Sequence, residues 1–389
     1  MRQEEKKVKL LVIPGYTQNI GEANWICLNE LLESFNEYPD VSVKIAGTAL
    51  NKKTSNVTPK QFVLYIKKIL NWPVINPVAA EKCYREIVDA LSEDSYDAML
   101  VMHMPYDSVL AACRAKKRFP KVKLFLYELD PITYEIDKQR KSFGRYLYFM
   151  RVLAEKRTFK ACDRIFHMEC NRKKYDQKEY DIYRSKFEYL DFPLIHHNGK
   201  EQQNISLYEG QSVRFVYAGK LMSHFRSPSY LLDVLDEVKK EIDITVHFYS
   251  SGDCETQISE FADCRPWVKQ HGYVDKETLG VAMDSNDCLV NIGNKISDML
   301  PSKLLTYIET GMPILHVKNQ VNDACVSYLK NYDLAVIIDE SDSIADSAEK
   351  LISFIRDNYG KRLSGDRIVN EYCKNTPEYS VKQIYTSIL

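Results

Sequence analysis

The sequence has no run of eighteen apolar residues and so offers no transmembrane helix. It has no C-x-x-C pair and no His–Cys cluster at metal spacing, and most of its ten cysteines fall in apolar runs. Buried reduced thiols in a cytoplasmic protein, without a metal site, are the expectation. The charged start, Met1-Arg2-Gln3-Glu4-Glu5-Lys6-Lys7, passes directly into strand-like residues 8–14, which does not read as a signal peptide. No self-similarity at solenoid spacing is visible, which excludes a repeat array. No recognised nucleic-acid module accompanies the basic residues, so nucleic acid is not an expected partner. A strong overall charge is missing too, since the net is −1. The balance is uneven: residues 1–200 carry about +8 and the remainder about −9. Either the basic half faces something anionic, or the two halves carry solvated faces of unequal charge.

What is present is an alternation. A chain of 389 residues is too long for one core of ordinary size, so two domains are expected. Apolar runs at 9–13, 41–46, 98–102, 123–127, 164–167 and 187–190 read as strands. Helical patterns at 22–35, 59–70, 79–91, 107–118 and 140–159 stand between them. The polar stretch 196–211, with His196 and His197, reads as a linker. Strands then return at 213–218, 244–249, 268–272, 287–292, 313–317 and 334–338, with helices at 229–240, 276–285, 302–310, 323–330 and 343–357. The fold class is therefore α/β, two Rossmann-like doubly wound parallel sheets whose strand ends would face a cleft. The expected domains are 1–195 and 212–376, with the last helix, 377–389, returning to the first.

The stretch CLVNIGNKISDMLPSKLLTYIETGMPIL, residues 288–315, carries the strongest local signal. An apolar strand runs into a polar loop with Asn291, Gly293, Asn294 and Asp298. Pro301-Ser302-Lys303 then opens a helix that stops at Gly311. A helix amino terminus offers free N–H groups and the positive end of a dipole, and Lys303 adds a full charge, a combination suited to phosphate. Gly219, Lys220 and Arg226 occupy the first strand–loop–helix of the second half, where two cations around a tight turn would grip a diphosphate. In the first half, Gly15 and Gly21 flank the loop after the first strand. His103 and Asp107 follow the third strand, and Glu128 and Asp130 the fourth. Any of these four would bind acceptor hydroxyls or accept a proton, Glu128 and Asp130 being the foremost, unless their role is structural.

At this point the residues resemble a family. A-G-K-L…R-S-P, the S-S-G-D stretch, H-G-Y-V and V-N-I-G-N…P-S-K-L-L-T-Y-I-E-T-G-M-P-I-L resemble the nucleotide-sugar-binding domain of group 1 GT-B glycosyltransferases, in particular capsule or exopolysaccharide enzymes. The resemblance implies hexosyl transfer from a nucleotide-diphosphate sugar co-substrate, with retention and without a metal or resident cofactor. It implies that Lys220, Arg226, Ser302 and Lys303 neutralise the diphosphate, and that Gly252, Tyr273 and Val274 border the nucleobase. Two glutamates usual in the family correspond here to Asp298 at the donor sugar and Thr306 at the ribose. Thr306 is a departure, because a neutral hydroxyl cannot accept two strong bonds from a diol as a carboxylate does. Glu309, one helical turn on, is a candidate substitute.

Two basic, aromatic-laced stretches remain, 60–72 and 138–160. They read as helices covering the sheet, or as a surface for an anionic membrane and a lipid-linked glycan acceptor, placing the protein peripherally on the inner face of a membrane. Rival readings are a sugar-nucleotide epimerase of the same architecture and a non-catalytic nucleotide- or glycan-binding partner.

Overall fold

The computed structural model describes residues 7–15, 23–47, 70–103, 105–133, 141–296 and 299–389. Gly21, Asp298 and nearly all of the stretch 60–72 lie outside the described residues. The chain divides into two compact units, Met1–Leu194 with Lys374–Leu389, and Ile195–Cys373.

The first unit is built on β1 (Val8–Ile13), β2 (Val41–Ile45), β3 (Ala98–Met102), β4 (Lys123–Glu128), β5 (Arg164–Met168) and β6 (Phe187–Leu190). They lie in the order β2-β1-β3-β4-β5-β6, and every neighbouring pair is parallel. All five residues of β3 are buried, as a strand covered by helices on both faces requires. Among the described residues the longer helices of this unit before the tail are α1 (Ala23–Glu37), α2 (Pro77–Glu93), α3 (Tyr106–Arg118) and α4 (Phe143–Ala161). Proline opens α2 where no N–H is needed, and the Asn76 side chain caps it by accepting from Ala79 N at 3.2 Å.

The second unit repeats the plan with β7 (Val213–Leu221), β8 (Ile244–Gly252), β9 (Val268–Gln270), β10 (Cys288–Ile292), β11 (Ile314–Lys318) and β12 (Ala335–Asp339). Their order is β12-β11-β10-β7-β8-β9, again parallel throughout. Its helices are α5 (Ser229–Val238), α6 (Glu255–Asp263), α7 (Lys276–Asp284), α8 (Lys303–Thr310), α9 (Ala324–Leu329), α10 (Ile344–Asn358) and α11 (Gly365–Glu371). The helix α6 has no counterpart in the pattern read from sequence. The chain fills one side of β7 with β8 and β9, then crosses back to lay β10 on the other side. The topological switch point therefore falls between β7 and β10, and loops leaving their carboxyl ends border the crevice where such sheets hold ligands.

The last helix, α12 (Pro377–Ile388), belongs to the first unit and is capped by Thr376. Tyr385 lies against Tyr38 at 5.1 Å, and Lys123 Nζ donates to the Ser387 and Ile388 carbonyls at 3.2 and 2.7 Å. A lysine on otherwise orphaned C-terminal carbonyls fixes the helix end in place.

The segment read as a solvated linker is instead hydrogen-bonded into the second unit. Gln203 and Arg362 exchange backbone bonds, Leu207 N donates to Tyr359 O at 2.9 Å, and Asn198 Nδ2 donates to the Glu309 carbonyl. Its polar composition carries no apolar periodicity, so the pairing is invisible until the 359–362 turn is folded beside it.

A candidate anion-binding site

The loop after β7 turns back on itself: Arg226 N donates to Met222 O at 2.6 Å, and Phe225 N to the same carbonyl at 2.8 Å. This turn brings the Arg226 guanidinium across the switch point, where Nη2 donates to Asn294 Oδ1 at 2.6 Å. Lys295 N donates to Phe225 O at 3.0 Å, so the β7 and β10 loops are joined by backbone as well as side chain. Asn294 is itself held, its Nδ2 donating to Met299 O at 3.0 Å and its carbonyl accepting from Gln320 Nε2 at 2.5 Å. Arg226 Nε is buried without a partner among the described residues, so one donor of the fork stays unsatisfied. The exposed Lys220 stands at the β7 end, beside Gly219 with its positive φ of 149°.

The residues Ser302 and Lys303 open α8 from the other side of the switch point. Ser302 makes no side-chain cap, and the first turn ends without an acidic residue. Lys303 is half-buried; burial, with the Lys276 charge added, pulls its ammonium below the ordinary lysine range. It has no carboxylate partner among the described residues. The helix is locked to the sheet by Tyr307, fully buried, whose hydroxyl accepts from Ala218 N at 2.9 Å and reaches Ala218 O at 3.3 Å. That one side chain fixes how far the α8 terminus stands from β7. The arrangement can stabilise an anion: Arg226 and a helix amino terminus carrying Lys303 border one sheet crevice, and among the described residues neither cation has a carboxylate partner.

The other residues that the resemblance assigns to the donor stand at the end of β8, after β9 and on α8. Gly252 ends β8 with φ of 125°, and a Cβ there would lie 1.8 Å from the Leu221 carbonyl oxygen, so only glycine keeps Leu221 and Gly252 in register. The adjacent Asp253 accepts from Ser223 N at 2.7 Å and fastens the β7 loop. Tyr273 is 83 % exposed, Val274 is half-buried, and His271 stacks on Tyr249 at 4.4 Å and bonds His247 at 2.9 Å. Thr306 is half-buried on α8. Glu309 is not placed as a substitute for it: its carboxylate accepts from His196 N at 3.1 Å, tied to the entering segment.

The first unit corrects several expectations. Glu128 does not line a cleft. It is completely buried, with Oε2 accepting from His167 Nδ1 and the Tyr175 hydroxyl, both at 2.7 Å. Burial pushes its carboxyl up, but the neighbouring His167 outweighs this and holds it below the usual range. Behind it, Glu155 accepts from Tyr180 at 2.8 Å and Thr133 at 3.0 Å, and pairs with Lys174 at 3.3 Å. Asp107 is also completely buried and takes the backbone N–H groups of Ile75 and Asn76 at 2.6 and 3.0 Å, stapling the turn that enters α2. His103 is 3 % exposed and donates from Nδ1 to the Asp130 carbonyl at 2.7 Å. In each case sequence showed a polar residue at a strand end, and an internal partner has taken it. Asp130 stays half-buried at the end of β4, and Gly15 adopts φ of 74° after β1.

Sequence spacing also missed a buried trio. His316, Asp323 and Cys325 offer ligand atoms within 4.8 Å of one another. Their polar atoms are already engaged: Asn291 Nδ2 lies 2.9 Å from His316 Nδ1, and His316 Nε2 lies 3.2 Å from Asp323 Oδ2. Burial raises the Cys325 thiol well above its ordinary range, opposing the thiolate a metal would need. The trio reads as a hydrogen-bond network. A Cβ on Gly293 would meet Asp323 Oδ2 at 1.9 Å, so the β10 loop rests directly against it.

No protein-family model matches this chain, and no curated protein matches it in sequence. Solved structures do match in shape. The lipopolysaccharide outer core galactosyltransferase WaaB aligns with TM-score 0.61 at 14% identity, over 98% of this chain and 99% of that one. The fold is that of the GT-B glycosyltransferases. Sucrose-phosphate synthase from Thermosynechococcus elongatus aligns with TM-score 0.62 at 11% identity, over 98% and 99%. The UDP-GlcNAc 2-epimerase from Methanocaldococcus jannaschii aligns with TM-score 0.57 at 12% identity, over 97% and 100%. The shared GT-B architecture thus extends over nearly the whole of this chain, while the chemistry must be argued from its own residues.

Proposed function

We propose that this GT-B-fold chain is a glycosyltransferase that moves a sugar from a nucleotide-diphosphate donor to a hydroxyl, with a glycan or lipid-linked glycan as acceptor. The observation that carries the reading is Lys303: a half-buried cation without a described carboxylate partner, at an uncapped helix terminus that follows the β10 loop, to which Arg226 is bonded through Asn294. A desolvated charge of that kind is costly until an anion arrives. Lys303 and Arg226, with Lys220 at the rim, would neutralise the diphosphate as the sugar–oxygen bond breaks and charge collects on the leaving group. The donor set is cationic and amide, so charge stabilisation by protein groups accounts for departure without a bound metal, and retention is the outcome we assign. Tyr273 and the Gly252 turn would border the base, and Asp298 would meet the donor sugar.

The likeness to an epimerase of TM-score 0.57 keeps a second reading in play, in which the same diphosphate grip serves interconversion of the sugar. A panel of UDP-, GDP- and dTDP-sugars separates these. Melting-temperature increases followed by release of free nucleotide, faster with acceptor, support transfer; interconversion of sugar nucleotides supports epimerisation. Stabilisation without turnover would leave a binding protein, and the absence of any shift across the panel would sink the donor-site reading itself.

A further inference from the structure

The first unit holds a cavity of about 720 Å³ between the turn 70–74, α3 and α4. Its size lies within the roughly 300–1,000 Å³ of small-molecule pockets. The floor is apolar, formed by Trp72, Val74, Leu110, Met150 and Leu153. The rim carries Arg114, Lys116, Lys117, Arg157 and Lys160, and among the described residues the lining includes no carboxylate. Arg114 is spent on Glu81 at 2.8 Å and Lys116 on Asp163 at 2.7 Å. Lys117, Arg157 and Lys160 are exposed and have no acidic partner among the described residues.

A second, independent feature adjoins the cavity. Phe143, Tyr146 and Phe149 are exposed at 56%, 52% and 56%, and their three-residue spacing draws a stripe along α4. Met150 and Leu153 continue α4 into the cavity floor. Leu70, at 74% exposure, stands at the other edge. Exposed aromatic groups gathered beside an apolar cavity mark a surface that is covered in use. Charge decides what covers it. A neutral chain would leave the cationic rim uncompensated, and a small anion would leave the floor in water.

We propose that the cavity takes one hydrocarbon chain of a phosphorylated lipid, whose phosphate sits among Lys117, Arg157 and Lys160 while the α4 stripe lies in the headgroup layer. The proposal uses none of the residues of the anion site, so either can fail without the other.

The test is co-sedimentation of the full chain with phosphatidylcholine vesicles with and without phosphatidic acid, together with quenching of Trp72 by phosphatidic acid brominated on its chains. Phosphatidic acid should strengthen binding about tenfold or more, and the paired change Arg157→Glu with Lys160→Glu should remove that gain. The quench should vanish in Trp72→Phe, and Leu153→Trp, which narrows the cavity, should weaken vesicle binding in a protein whose melting is unchanged. Equal binding to pure phosphatidylcholine would overturn the proposal. So would full competition by inorganic phosphate, a quench that survives Trp72→Phe, or self-association of lipid-free protein that Leu153→Trp abolishes, which would give the cavity to a second copy.

Discussion

The two sheets end alike in sequence and unlike in space. Polar and charged residues follow the carboxyl ends of β3 and β4 just as they follow β7 and β10. In the first unit Glu128, His103 and Asp107 have been drawn inside and bound to His167, a backbone carbonyl and two backbone amides. In the second, Lys220, Arg226 and Lys303 have no carboxylate partner among the described residues, and the side chains that Arg226 bonds are the neutral Asn294 at 2.6 Å and Tyr217 at 3.5 Å. A polar strand end becomes a site where its charges are left without internal counter-charges, and a structural core where they are matched. Fold position alone does not distinguish the two.

The sharpest way to break that comparison is to unmatch the first unit. Glu155→Ala leaves Lys174 buried without its carboxylate and should cost about 3–5 kcal/mol, read as a lower denaturant midpoint. A smaller loss would mean that the network is less enclosed than its burial indicates. Gly252→Ala should cost about 1–3 kcal/mol through strain at a positive φ and the clash with Leu221, and should also weaken nucleotide binding by loosening the β7 loop.

The second unit should respond with the opposite sign. Lys303→Ala removes a desolvated cation, so the free protein should melt at the same or a higher temperature. Its affinity for a nucleoside diphosphate should nevertheless fall by about 1.5–3 kcal/mol, the range of a hydrogen bond to a charged group, measured by calorimetric titration. A drop in melting temperature of the unliganded variant would assign Lys303 to structure instead.

Acid should weaken both units. Burial holds His103 below its ordinary 6.5, so under that pH the unfolded chain takes up a proton that the folded one refuses, and stability falls. Glu128 lies below its ordinary 4.5; its contribution is present above that value and is lost as pH falls through the depressed one. Melting followed from pH 8 downward should therefore weaken first under about 6.5 and again under about 4.5. His103→Asn should shrink the upper step without removing it, because His247 and His271 are also held below 6.5 by burial. The smallest effect is expected at Tyr273→Ala, within about 0.5 kcal/mol in stability because the side chain is exposed, so any loss of nucleotide affinity would report contact with the base.

Much of this was legible in the chain. Strand and helix alternation, twice over, is a local signal, since apolar runs bounded by turn residues need no partner to be recognised. The proposed anion site was also drawn from sequence, through P-S-K at the head of α8 and the cations around Gly219. Tyr307 was hidden in an apolar helix, and the network of His316, Asp323 and Cys325 spans two elements whose proximity no spacing rule encodes. The misreading of Glu128 and Asp107 has the same source. Sequence displays a carboxylate's position along a strand or helix, but not what stands opposite it.

By itself, then, the sequence determined the α/β class, the two parallel sheets and the place of the helix that opens at Lys303, because these follow from the periodicity and turn residues of short segments. Only the tertiary structure decided which charges stay unpaired. That depends on contacts such as Arg226 with Asn294, 68 residues apart, and Glu128 with His167, 39 apart, which form when separate strands are laid side by side. Desolvation and pairing act through space, and so a charge's role is fixed by its neighbours in the fold.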